Sequence, residues 1–253
     1  MATAADILQF IETIAPTNLK MDWDNVGLLC GRADKEIRTV LVALDPFPHV
    51  CDEAVEIGAD LLVTHHPLIF EALKSVTEDT TIGQSIMKLI THDITAINAH
   101  TNLDCAQGGV NDTLAQRLEL TDISVIGSEH LLRAGRYKAS LPAFLNQVKT
   151  KLGCDGLRYV DGGRAVSRVA VGGGSCGSAL PEVIAAGCDT FVTADVKYNQ
   201  FWDAKAFGIN LIDAGHYHTE NPICAVLAEK IQAAFPEVRV VLAKNHVDCM
   251  KFY

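Results

Sequence analysis

The chain has 253 residues, 49% of them hydrophobic and 21% charged, and its 21 Lys and Arg stand against 31 Asp and Glu for a net charge of −10. That apolar content supports one large domain or two modest ones and excludes disordered and fibrous classes. The acidic balance disfavours nucleic acid as the main partner and argues against an anionic membrane surface, while leaving room for a local metal-filled pocket.

The first residues, MATAADILQF, carry Asp6 but no positive stretch ahead of the apolar positions, so they do not read as a secretory signal. Ile7, Phe10, Ile11 and Ile14 have helical spacing, which predicts a helix over 4–14 that stops before Pro16. A turn-rich stretch then leads into Trp23-Asp24-Asn25-Val26-Gly27-Leu28. From there strands are expected at 39–44, 60–64 and 94–99, with helices at 50–57 and 82–91 between them. This rhythm predicts an α/β fold with a largely parallel, helix-covered sheet. No uncharged apolar run approaches the roughly 18 residues of a membrane span, and a cytoplasmic location is expected.

The rhythm occurs twice. Thr39 aligns with Arg168 and Thr64 with Thr193 at one constant offset, and further on His100 and Asp104 align with His216 and Glu220. The fold expected is therefore a duplicated α/β unit forming two lobes, divided as 1–128 and 129–253. Between the copies a strand at 131–137, a helix at 141–152 and a strand at 157–160 are expected, with the Asp161-Gly162-Gly163 turn as the seam.

The eight cysteines, at 30, 51, 105, 154, 176, 188, 224 and 249, form no C-x-x-C pair, so they read as thiols of a reducing compartment rather than a disulfide or zinc framework. Cys105, directly after Asp104, reads as a small packing residue.

The chemistry concentrates at strand ends. His65 and His66 follow the apolar run Leu61-Leu62-Val63, at the carboxyl edge where open α/β sheets place ligands. Adjacent strand residues point to opposite sides, so the pair suits two ions better than one. His100 with Asp104 and His216 with Glu220 follow the third strand of each copy, and imidazole with carboxylate but no thiolate suits zinc, iron or manganese. Asp45 and Asp195 also fall at strand ends, where they could orient imidazoles or simply cap the surface. His92, Asp213 and His218 carry less weight, and His49, His130 and His246 read as ordinary histidines. Gly172-Gly173-Gly174-Ser175-Cys176-Gly177-Ser178 lies between a strand and a helix. It reads either as a tight turn or as an anion-binding loop through the amides of Gly173, Gly174 and Ser175.

The segments Trp23–Leu28, Val63–Pro67 and His100–Asp104, the Gly-rich turn, Thr193–Tyr198 and Gly215–Glu220 together resemble the Nif-three-like dinuclear metal proteins, often labelled GTP cyclohydrolase I type 2 homologues. The likeness runs over nearly the whole chain and implies the short form, without a domain inserted between the halves. By motif it implies metal ligation by His65, His66, Asp104, His216 and Glu220, with Glu220 bridging two ions. It also implies a ring-shaped homohexamer. Ala194 and Asn199 stand where relatives usually have Gly and His.

The resulting expectation is a cytoplasmic protein that binds two divalent ions per chain and hydrolyses a small-molecule substrate, a nucleotide or phosphoester. His100 and His218 are the expected proton-transfer residues. A non-catalytic metal-binding or protein-interaction role is the alternative.

Overall fold

A computed structural model describes all 253 residues. In chain order the elements are α1 (Ala4–Ile14), β1 (Gly27–Cys30), β2 (Thr39–Ala43), α2 (Pro48–Glu56), β3 (Leu61–Thr64), α3 (Thr81–Thr91), β4 (Thr95–Asn98), α4 (Thr101–Cys105), α5 (Val110–Arg117), β5 (Thr121–Ile126), β6 (Leu132–Ala139), α6 (Leu141–Leu152), β7 (Arg158–Val160), β8 (Val166–Val171), α7 (Leu180–Ala185), β9 (Thr190–Thr193), α8 (Tyr198–Phe207), β10 (Asn210–Asp213), α9 (His216–Glu220), α10 (Pro222–Ala234) and β11 (Arg239–Leu242). The helix expected at 4–14 forms with those bounds. Its start is fixed by Thr3, whose hydroxyl accepts from the Asp6 amide at 3.2 Å while Asp6 accepts from the Thr3 amide at 2.8 Å.

The chain packs as two units. The first comprises Met1–Gln107 and Cys224–Val247, the second Gly108–Ile223 and Asp248–Tyr253. The first holds a five-stranded sheet in the order β1-β4-β3-β2-β11, with only the β1 pairing antiparallel. Leu41, Leu62, Val50, Ala54, Leu89 and Ile86 form one cluster between this sheet and the helices α2 and α3. Each fully buried aliphatic side chain of this kind contributes about 1.5–3 kcal/mol. Residues 224–247 belong here because β11 extends the parallel ladder beside β2, Val240 facing Val40.

The second unit holds a six-stranded sheet in the order β5-β6-β8-β9-β10-β7. Phe144 and Val148 of α6 pack on Val169, Val192 and Ile212, while Leu180 and Val183 of α7 pack with Ala204 of α8, Phe191 and Leu211. The expectation of a largely parallel sheet holds for the first unit, whereas the second is mixed. Its β5–β6, β6–β8 and β7–β10 pairs are antiparallel. The link from β5 to β6 is short, and a short link can join only antiparallel neighbours. The Asp161-Gly162-Gly163 turn is not a seam, because the strands it joins, β7 and β8, belong to one sheet.

The duplication is plain in the topology. The order β1-β4-β3-β2 in one unit recurs as β7-β10-β9-β8 in the other, each with an antiparallel outer strand and three parallel ones. Even the register repeats: Val40 faces Leu61, and their counterparts Val169 and Thr190 face each other. No helix is long and apolar enough to cross a membrane.

All eight cysteines are free thiols, seven of them buried and Cys249 exposed. Burial pushes the Cys51 thiol up to about 11 and that of Cys154 to about 12, which leaves almost no thiolate at neutral pH. A disulfide-exchange reagent at pH 8 is therefore expected to titrate one thiol per native chain, and all eight only after denaturation. Rapid loss of several thiols from native protein would contradict this packing.

Candidate metal centre

In the first unit the backbone of His65 and His66 prolongs the β3 ladder, the His66 amide donating to Leu44 O at 2.9 Å. Their rings are each anchored through Nδ1. His65 Nδ1 lies 2.9 Å from the Ala99 carbonyl, and His66 Nδ1 lies 2.6 Å from Asp45 Oδ1. His100 begins the turn into α4, and its Nδ1 lies 2.8 Å from Asp24 Oδ1. Carbonyl and carboxylate oxygens only accept, so each Nδ1 carries the hydrogen and each neutral ring keeps its lone pair on Nε2.

These three rings gather. Their centroids are 4.9 Å (His65–His66), 5.2 Å (His65–His100) and 5.5 Å (His66–His100) apart, and one ligand atom from each lies within 4.8 Å of the others. Asp104, one helical turn after His100, is buried with Oδ1 3.5 Å from His65 Nε2. A lone pair on Nε2 and a carboxylate oxygen repel at that separation unless a proton or a metal cation sits between them. The donor set therefore fits a divalent ion.

Asp24 and Asp45 are charged under strain of burial. Burial pushes the Asp45 carboxyl up, but hydrogen bonds from His246 and His66 outweigh it and hold the group well below the usual carboxylate range. Burial likewise raises Asp24, and its bonds from His100 and Thr101 win by a similar route. Asp24 Oδ2 accepts from both the amide and the hydroxyl of Thr101. That explains the Trp23-Asp24-Asn25 motif: Asp24 pins the first turn of α4, and Asn25 donates to Ile69 O at 2.6 Å.

The second unit repeats the device with other residues. His216 Nδ1 lies 2.7 Å from Asp195 Oδ2, and its Nε2 lies 2.9 Å from Oε2 of the buried Glu220. Asp195 adopts φ +51, an uncommon backbone for a non-glycine residue, at the end of β9. The orienting role that sequence position suggested for Asp45 and Asp195 is what their contacts perform. The sequence offered no sign of the parts played by Asp24 and His246, whose partners are remote in the chain.

The Gly-rich turn serves a different purpose from an anion cradle. The Gly173 amide donates to Asn111 Oδ1 at 2.7 Å and the Gly174 amide to Thr219 Oγ1 at 3.0 Å, so both hydrogens are committed within the unit. Ser175 follows directly, and the Cys176 amide donates to Thr193 Oγ1 at 3.2 Å. Gly174 has φ +62, and a Cβ there would stand 2.1 Å from Glu220 Oε1 and 3.1 Å from His216 Nε2. The turn makes room for the Glu220 carboxylate.

Of the two expected proton-transfer residues, His100 joins the histidine cluster. His218 does not join a ligand group: its Nδ1 faces Leu152 O and its Nε2 faces Asp248 Oδ2, both at 3.2 Å. It lines a cavity of about 330 Å³ with Asp195, Asp248, Met250 and Phe252. Ala194 is wholly buried, and Asn199 is exposed on the first turn of α8, beside a separate cavity lined by Leu180, Pro181 and Phe207.

Residues 2–248 match the family described as Duf34/NIF3 (NGG1p interacting factor 3). The chain belongs to the Duf34/NIF3 family. A Clostridium perfringens protein named GTP cyclohydrolase 1 type 2 homolog is 36% identical over 259 residues, covering 98% of each chain. A Streptomyces coelicolor protein of the same name is 34% identical over 91% of this chain and 86% of that one. Among solved structures, a Bacillus cereus protein related to NIF3 superposes with TM-score 0.93 over 100% of this chain and 99% of that one; at 24% identity it shows the fold. Reduced HcgD from Methanocaldococcus jannaschii superposes with TM-score 0.84 and 30% identity, over 96% and 98%. The Duf34/NIF3 fold is thus a mixed α/β architecture whose strand ends carry histidine and carboxylate groups able to hold a metal ion.

Gly174→Ala combines a left-handed backbone with a collision against Glu220, whereas Gly153→Ala meets φ +71 with open space around it. Both variants are expected to lose about 1 kcal/mol or more of stability in urea unfolding. Only Gly174→Ala is expected to lose bound metal by mass spectrometry. Equal metal content in the two would remove the turn from the centre.

Proposed function

We propose that this chain is a dinuclear divalent-metal protein that hydrolyses a small molecule of the nucleotide or phosphoester class. His65, His66, Asp104, His216 and Glu220 would be its ligands, the set that the family resemblance implies, with Glu220 as the residue that would serve two ions. The observation that carries the reading is the twice-repeated facing of an imidazole with a committed Nδ1 and a buried carboxylate, at His65–Asp104 and at His216–Glu220. Five side chains with one shared would give each ion three protein ligands and would leave positions open, as a catalytic rather than a structural site requires.

Zinc, iron or manganese held there would supply Lewis acidity toward the substrate and a water that is nucleophilic at neutral pH. The chain's own groups supply orientation. Asp45, Asp195 and the Ala99 carbonyl fix the ring tautomers, and Asp24 keeps the hydrogen on His100 Nδ1 so that Nε2 is the atom available to take a proton. His218 would have to break its contact with Asp248 or Leu152 before moving one. The shared name of the relatives, GTP cyclohydrolase 1 type 2 homolog, supports a nucleotide as the substrate class. A closed homohexamer in the cytoplasm belongs to the same proposal.

Elemental analysis of protein purified without added metal is expected to return about two equivalents per chain. Asp104→Ala should lose mainly one, and Glu220→Ala should lose both, since each ion forfeits a ligand and the pair forfeits the charge between them. Full occupancy in folded Glu220→Ala protein would overturn the shared ligand. Turnover of GTP and phosphoesters should vanish in both variants; turnover that survives would come from elsewhere and leave a metal-binding protein without hydrolysis. Light scattering is expected to give six chains, and a monomer at all concentrations would remove the ring.

A further inference from the structure

We infer that His246 is a positioning residue for the metal centre, acting on His66 through Asp45; the inference rests on the metal-centre reading above. Asp45 uses its two oxygens on two different rings. Oδ1 accepts from His66 Nδ1 at 2.6 Å, and Oδ2 accepts from His246 Nε2 at 2.9 Å. A carboxylate with one partner can still rotate about its Cβ–Cγ bond, and the second bond stops that rotation. The plane of the carboxylate then sets the plane of the His66 ring, and with it the direction of the Nε2 lone pair.

His246 is itself held from two sides. Glu53 on α2, buried, accepts from the Lys244 amide at 2.8 and 3.0 Å and from the Asn245 amide at 2.9 Å, which clamps the chain just after β11. The His246 ring, 7% exposed, stacks on Phe47 at 6.2 Å and 13° and on His49 at 6.0 Å and 12°. An ordinary packing histidine would need none of this. A buried acid spent on two backbone amides, a ring lying parallel to both Phe47 and His49 and a donor directed at Asp45 form one line of support. It runs from α2 through the C-terminal segment to a ligand of the proposed centre.

The test separates the ring from its donor. His246→Phe keeps the stack and loses the hydrogen bond, while His246→Gln keeps a donor and loses the stack. In metal-free protein, the exchange rate of the His66 Nδ1 hydrogen, followed by nitrogen-edited NMR, is expected to rise about tenfold in His246→Phe and to stay near wild type in His246→Gln. In cobalt-loaded protein, the dissociation constant measured by chelator competition is expected to rise about tenfold in His246→Phe, the low end for a group that supports a ligand. The visible cobalt bands should shift with it, and His246→Gln should restore most of both. In an Asp45→Ala background, His246→Phe should add nothing further. Unchanged cobalt affinity and unchanged His66 exchange in His246→Phe would overturn the inference, as would equal losses in the Phe and Gln variants. If wild-type protein takes up no cobalt, the metal-centre reading falls, and the exchange rates still decide whether His246 holds His66 in place.

Discussion

A neutral imidazole offers a metal ion one nitrogen, and which one is settled by what the other nitrogen touches. Here Nδ1 is the committed nitrogen in every ring of the centre: Ala99 O, Asp45, Asp24 and Asp195 take it from His65, His66, His100 and His216. The surrounding structure exists to keep those acceptors in place against the cost of burying them. Burial alone would favour the neutral acid at Asp24 and Asp45, and the hydrogen bonds reverse that preference. Loss of one such acceptor would therefore disorder a ring and also remove a negative charge that favours a cation nearby.

Parallel strands supply the geometry that makes these contacts possible. The strands β2, β3 and β4 end on one edge, as do β8, β9 and β10, so short segments after each strand meet without long loops. After the third strand of each triplet a helix of one turn follows. Residues four apart on a helix share a face, which returns Asp104 toward the His100 end of α4 and sets Glu220 2.9 Å from His216. The spacing H-x-x-x-[DE] is thus a statement about helical pitch.

Local pattern carried much of this into the sequence. Helical spacing at Ile7, Phe10 and Ile11 located α1, and the repeated βαβ rhythm exposed both the duplication and the edges where ligands gather. Even the orienting role of Asp45 and Asp195 was within reach, because each sits at a strand end. What stayed hidden depended on long-range pairing. Nothing in Arg239–Leu242 says that it joins the sheet beside β2, and without that placement His246 has no visible relation to Asp45. Asp24 similarly acts on a histidine that the chain reaches only after four more strands. The Gly-rich turn misled for another reason: free amides are a property of the folded loop, and here Asn111 and Thr219 claim them.

The two copies have also diverged in a way that packing explains. By the offset that aligns β2 with β8 and β3 with β9, Asp45 corresponds to Gly174, His65 to Ala194 and His66 to Asp195; by the shorter offset that aligns His100 with His216, Asp104 corresponds to the longer Glu220. The extra methylene of Glu220 brings its carboxylate against Gly174, where even a Cβ would stand 2.1 Å from Oε1. An aspartate in the manner of Asp45 therefore cannot stand at 174 without displacing Glu220; the imidazole of this copy, His216, corresponds to His100, and its acceptor comes from the segment after β9 rather than from a counterpart of Asp24. Asp195 supplies it from the position that carries His66 in the first copy, at the cost of a left-handed backbone. Crowding by the Glu220 carboxylate thus bears on two positions: the glycine at 174, which yields space, and Asp195, which stands where the first copy has His66. The two copies share one frame, and at its edge the first gathers the three rings of His65, His66 and His100, whereas the second sets the single ring of His216 between Asp195 and Glu220.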